Sequence, residues 1–397
     1  MLQGKIVVLG ITGSIAAYKI ANLASLLVKQ HANVHVIMTK NATEFITPLT
    51  FETLTGNKCL VDTFDRVFQF DVEHVSIGAS ADVMLVAPAS ANVIAKLAQG
   101  IADDMLTTTA LALQHAPLLV SPAMNTHMFE KQVTQDNLQK LIAYGATVIS
   151  PASGRLACGD VGAGKMPEPE VLLQYIYRAV LREKDMAGLH VMVTAGPTRE
   201  AFDPVRYITN HSTGKMGYAL AKEAAYRGAK VTLISGPVNL EAPEFVEVVP
   251  VTSAHEMYEA VTERFSSMDI LLKAAAVADY RPLEVADEKI KKKDGSSEIF
   301  LTRTEDILKA VGAQKQPHQF VCGFSMETEN MIENSRGKLE RKNLDMIVAN
   351  NLKTEGAGFG TDTNVVTIIT AKEDVTLPLQ SKEAVAHEIL DRILKLR

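Results

Sequence analysis

The chain has 397 residues, 47% of them hydrophobic and 22% charged, with a net charge of −6 at pH 7. That length supports two or three domains with ample core, and the composition excludes disorder and a coiled coil. The acidic balance gives no electrostatic reason to expect nucleic acid as a partner, and no apolar run approaches the roughly 20 residues of a membrane helix.

The first strand begins by Lys5, which leaves no room for a secretory leader. Three widely spaced cysteines (Cys59, Cys158, Cys322) fit neither a disulfide framework nor a zinc site. The expectation is a cytoplasmic α/β protein with no membrane partner.

Lys5–Lys19 (KIVVLGITGSIAAYK) sets the pattern. The apolar run at Ile6–Leu9 predicts a buried strand, Gly10–Ser14 a glycine-bearing turn, and Ile15-Ala16-Ala17 the opening of a helix. Such a turn aims unpaired backbone N–H groups at one spot, which suits a phosphate, although a purely structural turn uses the same glycines. Val34–Thr39 then closes a βαβ unit, and strands follow at Val83–Ala87, Leu118–Ser121 and Thr147–Ile149. This alternation predicts a parallel sheet with helices on both faces. Unusual residues end several strands: Thr39, Pro88-Ala89-Ser90-Ala91-Asn92 and Pro122-Ala123-Met124-Asn125. Ligands of open α/β sheets lie outside the carboxyl ends of the strands, so these motifs should converge.

From Gly154 to Pro169 the periodicity stops, and Gly154, Gly159, Gly162 and Gly164 surround Cys158 in what reads as a mobile segment. A helix over Glu170–Glu183 leads into a charged connector, Arg182–Gly188. The boundary falls there, giving domains over 1–186 and 187–397.

The chain then starts again, with a strand at His190–Ala195, a Gly196-Pro197-Thr198 turn, and a helix over Gly217–Arg227 stopped by Gly228. Strands follow at Lys230–Ser235, Ile270–Lys273, Phe320–Phe324 and Met346–Ala349, with hairpin strands near Val365–Thr370 and Val375–Leu377. The fold class is α/β, with two doubly wound, Rossmann-like domains. Neither is a nicotinamide site, because G-x-G-x-x-G is absent and Thr39 and Ser235 stand where an acidic residue would hold a ribose. A Walker A reading of Ser212–Lys215 fails as well, with Met216 in place of the hydroxyl residue and Thr209 in place of the leading glycine.

Several residues could carry chemistry, each beside a plainer role. His74 follows an acidic stretch and could equally be an inert surface histidine. Asn125 stands where a helix should begin, as a cap or as a ligand contact. Cys158 is an odd thiol for a polar glycine-rich loop, which favours a reactive role, whereas Cys59 and Cys322 have apolar neighbours. Asn210 precedes a Ser-Thr-Gly-Lys turn, as a turn residue or as part of an anion site. Glu288–Lys293 carries four lysines and would ordinarily be a solvated loop. Lys338 and Lys342, four apart, share one helix face.

GSIAAYK (13–19), PASAN (88–92), PAMNTHMF (122–129) and ACGDVGAGKM (157–166) resemble the flavin-dependent cysteine decarboxylases of coenzyme A biosynthesis. GPTRE (196–200), DPVRYITNHSTGKMG (203–217), AAVADYRP (275–282), EKIKK (288–292) and RKNLD (341–345) extend this almost end to end. The whole is similar to the bacterial bifunctional phosphopantothenoylcysteine decarboxylase / phosphopantothenate–cysteine ligase family. Thr213, where many relatives have serine, and Lys273, ahead of the Ala-rich turn, depart from its pattern.

The resemblance implies an N-terminal flavoprotein domain holding FMN through Gly13, Ser14, Thr39, Ser90 and Asn92. Oxidation of a CH₂–SH to a thioaldehyde would create an electron sink β to the carboxylate, CO₂ would leave, and the enethiol would be reduced again. His74 would be the base, Asn125 would hold the carboxylate, Met128 would line the pocket, and Cys158 would donate the final proton from a glycine-rich lid. The resemblance also implies a C-terminal nucleotide-binding ligase domain using CTP and Mg²⁺, whose metal ligands are left unassigned. There Lys289 would stabilise formation of an acyl-cytidylate from 4′-phosphopantothenate, and Asn210 would hold it while L-cysteine attacks. Asp279, Phe324, Lys338 and Lys342 would contact the nucleotide, and Arg206 the phosphate of the pantothenate moiety. Decarboxylases of this family form trimers and the ligases dimers, which implies a homo-oligomer, a dodecamer of trimers joined by ligase dimers. Rival readings are a peptidyl-cysteine decarboxylase and a non-enzymatic regulatory flavoprotein.

Overall fold

In the computed structural model, which describes residues 2–64, 73–155, 161–291, 298–327, 330–351, 358 and 360–397, the chain divides into two units, Met1–Arg182 and Glu183–Arg397. Among the described residues no helix is long and apolar enough to cross a membrane.

The N-terminal unit opens with β1 (Ile6–Ile11), α1 (Ala17–Lys29), β2 (Asn33–Met38), α2 (Lys40–Thr43), α3 (Pro48–Thr55) and β3 (Cys59–Leu60). It continues through α4 (Glu73–Ser80), β4 (Val83–Ala89), α5 (Ala91–Gln99), α6 (Met105–Leu111), β5 (Leu118–Pro122), α7 (Thr126–Glu130), α8 (Gln132–Ala143) and β6 (Thr147–Val148). A short hairpin, β7 (Ala152–Arg155) and β8 (Val161–Lys165), precedes α9 (Pro169–Val180). The six-stranded sheet has the order β3-β2-β1-β4-β5-β6, every pair parallel.

The alternation of side chains along each strand builds the two layers. Val7, Leu9 and Ile11 of β1 pack against Ile20, Leu23 and Leu27 of α1 and Leu172 and Ile176 of α9. Val8 faces the opposite core, with Ile94 of α5, Leu106 of α6 and Leu138 of α8. Burying one such side chain contributes about 1.5–3 kcal/mol. The strand order reverses between β1 and β4, and that switch point fixes where a ligand can enter.

The C-terminal unit starts with β9 (His190–Ala195), β10 (Arg199–Ala201), β11 (Tyr207–Thr209), α10 (Lys215–Tyr226), β12 (Lys230–Ser235), β13 (Val246–Pro250), α11 (Ala254–Phe265) and β14 (Ile270–Lys273). It goes on through β15 (Tyr280–Pro282), β16 (Leu301–Arg303), α12 (Ile307–Gln314), β17 (Phe320–Glu327), α13 (Met331–Arg341) and β18 (Met346–Asn351). Last come β19 (Thr363–Asn364), β20 (Val366–Thr370), β21 (Asp374–Thr376), β22 (Gln380–Ser381) and α14 (Lys382–Leu396). Its sheet runs β13-β12-β9-β14-β17-β18-β20-β21, with only β20 and β21 joining antiparallel. The switch point lies between β9 and β14. Gly217 lets α10 approach β9, since a Cβ there would lie 2.5 Å from the Ala195 Cβ.

Two regions carry order that the sequence pattern does not announce. Residues 156–160 of the stretch read as a mobile segment lie outside the described residues, and the described ones on either side pair in the antiparallel hairpin β7–β8. The charged connector is stitched into the C-terminal unit: Met186 is buried and its N–H donates to the Arg227 carbonyl. The buried Arg227 guanidinium bonds Asp185 through Nε (2.8 Å) and Asp391 of α14 through Nη1 (2.6 Å).

Candidate active sites

In the N-terminal unit one hydroxyl ties the switch-point loops together. Thr12 Oγ1 donates to the Pro88 carbonyl at 2.6 Å and accepts from the Ser90 N–H at 2.9 Å. Gly13, just beyond it, faces the start of α2, and a Cβ at Gly13 would lie 2.7 Å from the Asn41 Cβ. Thr39 caps α2 and Ser90 caps α5, each hydroxyl accepting a backbone N–H. Ser14 accepts from the Ala16 N–H at 3.3 Å, and Asn92 is exposed in the first turn of α5. Gly13, Ser14, Thr39, Ser90 and Asn92 therefore all sit at the carboxyl ends of β1, β2 and β4.

The loop after β5 carries Asn125, whose side-chain oxygen caps α7 by accepting from the His127 N–H at 2.9 Å. Met128 stands half exposed on α7. The hairpin docks on this loop: the Met124 N–H donates to the Gly164 carbonyl at 3.1 Å. Two glycines permit the contact. A Cβ at Gly162 would lie 2.8 Å from the Thr126 Oγ1, and one at Gly164 2.4 Å from the Met124 carbonyl oxygen. Two buried hydroxyls here, Ser121 Oγ and Thr126 Oγ1, have no hydrogen-bond partner among the described residues, as expected where a polar ligand completes a site. His74 is half-buried in the first turn of α4, and Cys158 lies outside the described residues. Burial pushes the Cys59 thiol up to about 12 and raises the Cys322 thiol further, so both are chemically quiet.

In the C-terminal unit the switch point is again stitched across. The Ala278 N–H donates to Thr198 Oγ1 (3.0 Å), Thr209 Oγ1 to the Thr198 carbonyl (2.7 Å), and Asn210 Nδ2 to the Ala276 carbonyl (2.9 Å). Asn210, Asp279, Phe324, Lys338 and Lys342 line one cleft of about 360 Å³, with the turn at the head of α10 forming another wall. An adjoining cleft shares Lys273, Asp279 and Lys342 and adds Asp306, which pairs with Lys342 at 2.9 Å.

Lys273, noted only as a departure, lines both clefts. Desolvation, helped by the nearby Lys342 cation and opposed by Asp279 and Asp306, pulls its ammonium down to about 8. Lys215, read from sequence only as part of the Ser-Thr-Gly-Lys turn, and Lys382, absent from the sequence reading, border the same cleft and bind the Gly360 and Gly358 carbonyls. The lysines suit a polyphosphate. Among the described residues there is no cluster of His, Cys, Asp and Glu fit to hold a metal by itself. The carboxylates of Asp279 and Asp306 suit Mg²⁺ of the kind shared with nucleotide phosphates and water.

Lys289 and Arg206 are not among the residues lining that cleft. Lys289 is exposed on a segment outside helix and strand. Arg206 is ion-paired with the buried Asp203 and bonded to the Ile290 carbonyl at 3.0 Å. Its hydrogen bonds hold the Asp203 carboxyl well below the usual carboxylate range.

Comparison with known proteins divides the chain at the same place. The family described as "Flavoprotein" matches residues 1–181, and that described as "DNA/pantothenate metabolism flavoprotein C-terminal domain" matches residues 186–396. The chain is 48% identical over 400 residues to the coenzyme A biosynthesis bifunctional protein CoaBC of Bacillus subtilis (strain 168), covering 100% of this chain and 98% of that relative. It is 42% identical to the protein of the same name from Escherichia coli (strain K12), covering 99% and 97%. A crystal structure of the C-terminal domain of a CoaBC protein, 44% identical, covers 52% of this chain and 95% of that one with a TM-score of 0.45.

Proposed function

The chain belongs to the CoaBC family of bifunctional coenzyme A biosynthesis proteins, a flavoprotein decarboxylase joined to a ligase, and from that premise we propose how each unit works. The C-terminal unit ligates 4′-phosphopantothenate to L-cysteine through an acyl-cytidylate made from CTP, and the N-terminal unit decarboxylates the 4′-phosphopantothenoylcysteine to 4′-phosphopantetheine, both in the cytoplasm. The observation that carries the ligase reading is the gathering of Asn210, Asp279, Phe324, Lys338 and Lys342 around one cleft. Cations there neutralise the triphosphate, and Mg²⁺ shared with the phosphates fits the carboxylates of Asp279 and Asp306. Lys289 meets the charge that develops as the cytidylate forms, and Asn210, its amide oriented by the Ala276 carbonyl, holds that intermediate for the cysteine amine. Arg206 meets the phosphate of the pantothenate moiety.

In the N-terminal unit Gly13, Ser14, Thr39, Ser90 and Asn92 hold FMN. The bare Cα of Gly13, facing the start of α2, supports that fit. Bound FMN supplies hydride acceptance and return. His74 takes a proton as the substrate is oxidised, Asn125 fixes the carboxylate that leaves as CO₂, and Met128 closes the pocket wall. Cys158 returns a proton to the enethiol. A decarboxylase of peptide cysteines would leave the second unit without employment, and the match over 186–396 speaks against that rival.

The purified full-length protein provides the test. It should be yellow, should release pyrophosphate only with CTP and phosphopantothenate together, and should release CO₂ once cysteine is added. A preparation colourless after reconstitution, or one forming product without CTP, would overturn the assignment.

A further inference from the structure

The turn between β10 and β11 buries a carboxylate that neither reaction claims. Asp203 is 1% exposed. Its Oδ1 accepts from the N–H groups of Val205 (2.9 Å) and Arg206 (2.8 Å). Its Oδ2 accepts from Arg206 Nε (3.0 Å), from Arg206 Nη2, and from the N–H of Ile290 (3.1 Å), which is 87 positions away. Arg206 Nη2 also donates to the Ile290 carbonyl at 3.0 Å. Asp203 and Arg206 thus grip both backbone polar groups of the residue next to Lys289. A second tie, the Ala286 N–H to the Phe202 carbonyl (3.1 Å), fixes the approach to that residue. The Arg206 guanidinium lies over the Phe202 ring, 5.0 Å from its centroid.

We propose that Asp203 is a positioning residue for the ligase reaction, holding the Lys289 segment through Ile290 so that the lysine is delivered to the acyl-cytidylate step. The proposal rests on the reading of Lys289 given above. The physical reason is that Lys289 is exposed and belongs to no helix or strand. Without the grip its ammonium would sample many places, and a misplacement of about 1 Å can cost on the order of 10²-fold in rate.

Asp203→Asn preserves the shape but turns one oxygen into an N–H₂ group, which cannot accept. If the remaining oxygen serves Val205 and Arg206, the amide faces Arg206 and Ile290 donor to donor, and the grip opens. Pyrophosphate release should fall by about 10- to 100-fold with the KM for CTP unchanged, while decarboxylation of supplied phosphopantothenoylcysteine is unaffected. The decisive measurement is the cycle with Lys289→Gln. If Asp203 acts through Lys289, the double variant is no slower than Lys289→Gln alone. Losses that multiply, or full ligase rate in Asp203→Asn beside a crippled Lys289→Gln, overturn the proposal alone. Full rate in Lys289→Gln overturns the assignment of that lysine and the proposal together. Should Asp203→Asn fail to fold, Arg206→Lys takes its place in the cycle. It keeps the carboxylate and breaks the two-pronged grip, with the same non-additivity with Lys289→Gln expected at saturating phosphopantothenate. Additive losses there overturn the proposal too.

Discussion

Lys273 is the side chain whose chemistry the ligase cleft alters most. Burial and the Lys342 cation bring its ammonium down to about 8, so it is charged at pH 7 and neutral well above pH 8. The KM for CTP should therefore rise as pH passes 8. Lys273→Met should show a higher KM at pH 7 and no such step, and a parallel rise in both proteins would reject a role for this lysine in nucleotide binding. The sign for stability is opposite to that of a paired lysine. Its folded-state value lies below the unfolded value, so the penalty for burying the charge is fully present below pH 8 and is relieved between about pH 8 and 10.4. Asp203 shows the limit of reading residues from sequence. Thr39 and Ser90 each cap a helix through a backbone N–H three positions on, a local pattern, and Lys338 and Lys342 stand four apart at the end of one helix. The worth of Asp203 depends on Ile290, 87 positions away, and no local pattern announces that.

At the scale of elements, β1, β2, β4, β5, β9, β12, β14, β17 and β18 were readable because each is an apolar run between turn residues. β3 has only two residues, and β13 lies at a sheet edge with mixed exposure, so neither carries a strong pattern. The hairpin β7–β8 escaped for a different reason. Its glycines erase periodicity, and what fixes it is the approach of Gly162 and Gly164 to Thr126 and Met124. Gly164 has φ +133, a region disfavoured for other residues, and a Cβ there would meet the Met124 carbonyl at 2.4 Å. Gly164→Ala should therefore cost about 1–3 kcal/mol through strain alone, lower the melting temperature, and depress decarboxylation by displacing Asn125. CTP-dependent pyrophosphate release should stay normal. Normal decarboxylation in that variant would show that the hairpin does not shape the site.

At the scale of the molecule, one chain carries two units with separate chemistry. If the flavoprotein unit associates about a threefold axis and the ligase unit about a twofold, neither a plain trimer nor a plain dimer satisfies both. Closed symmetry then favours a dodecamer of trimers joined through ligase pairs. Sedimentation at micromolar concentration should find this large particle as the active species. A monomer carrying full activity would reject both contacts.

Arg227 has a consequence that is about chain ends rather than catalysis. Its guanidinium holds Asp185, where the ligase unit begins, and Asp391, in the helix with which it finishes. The first and last segments of that unit are clasped by a single buried cation, so the unit closes on itself like a ring. A premature stop codon ahead of Asp391 would strip that cation of one of its two carboxylate partners. The injury would surface in the unit's opening segment, where no sequence has been lost.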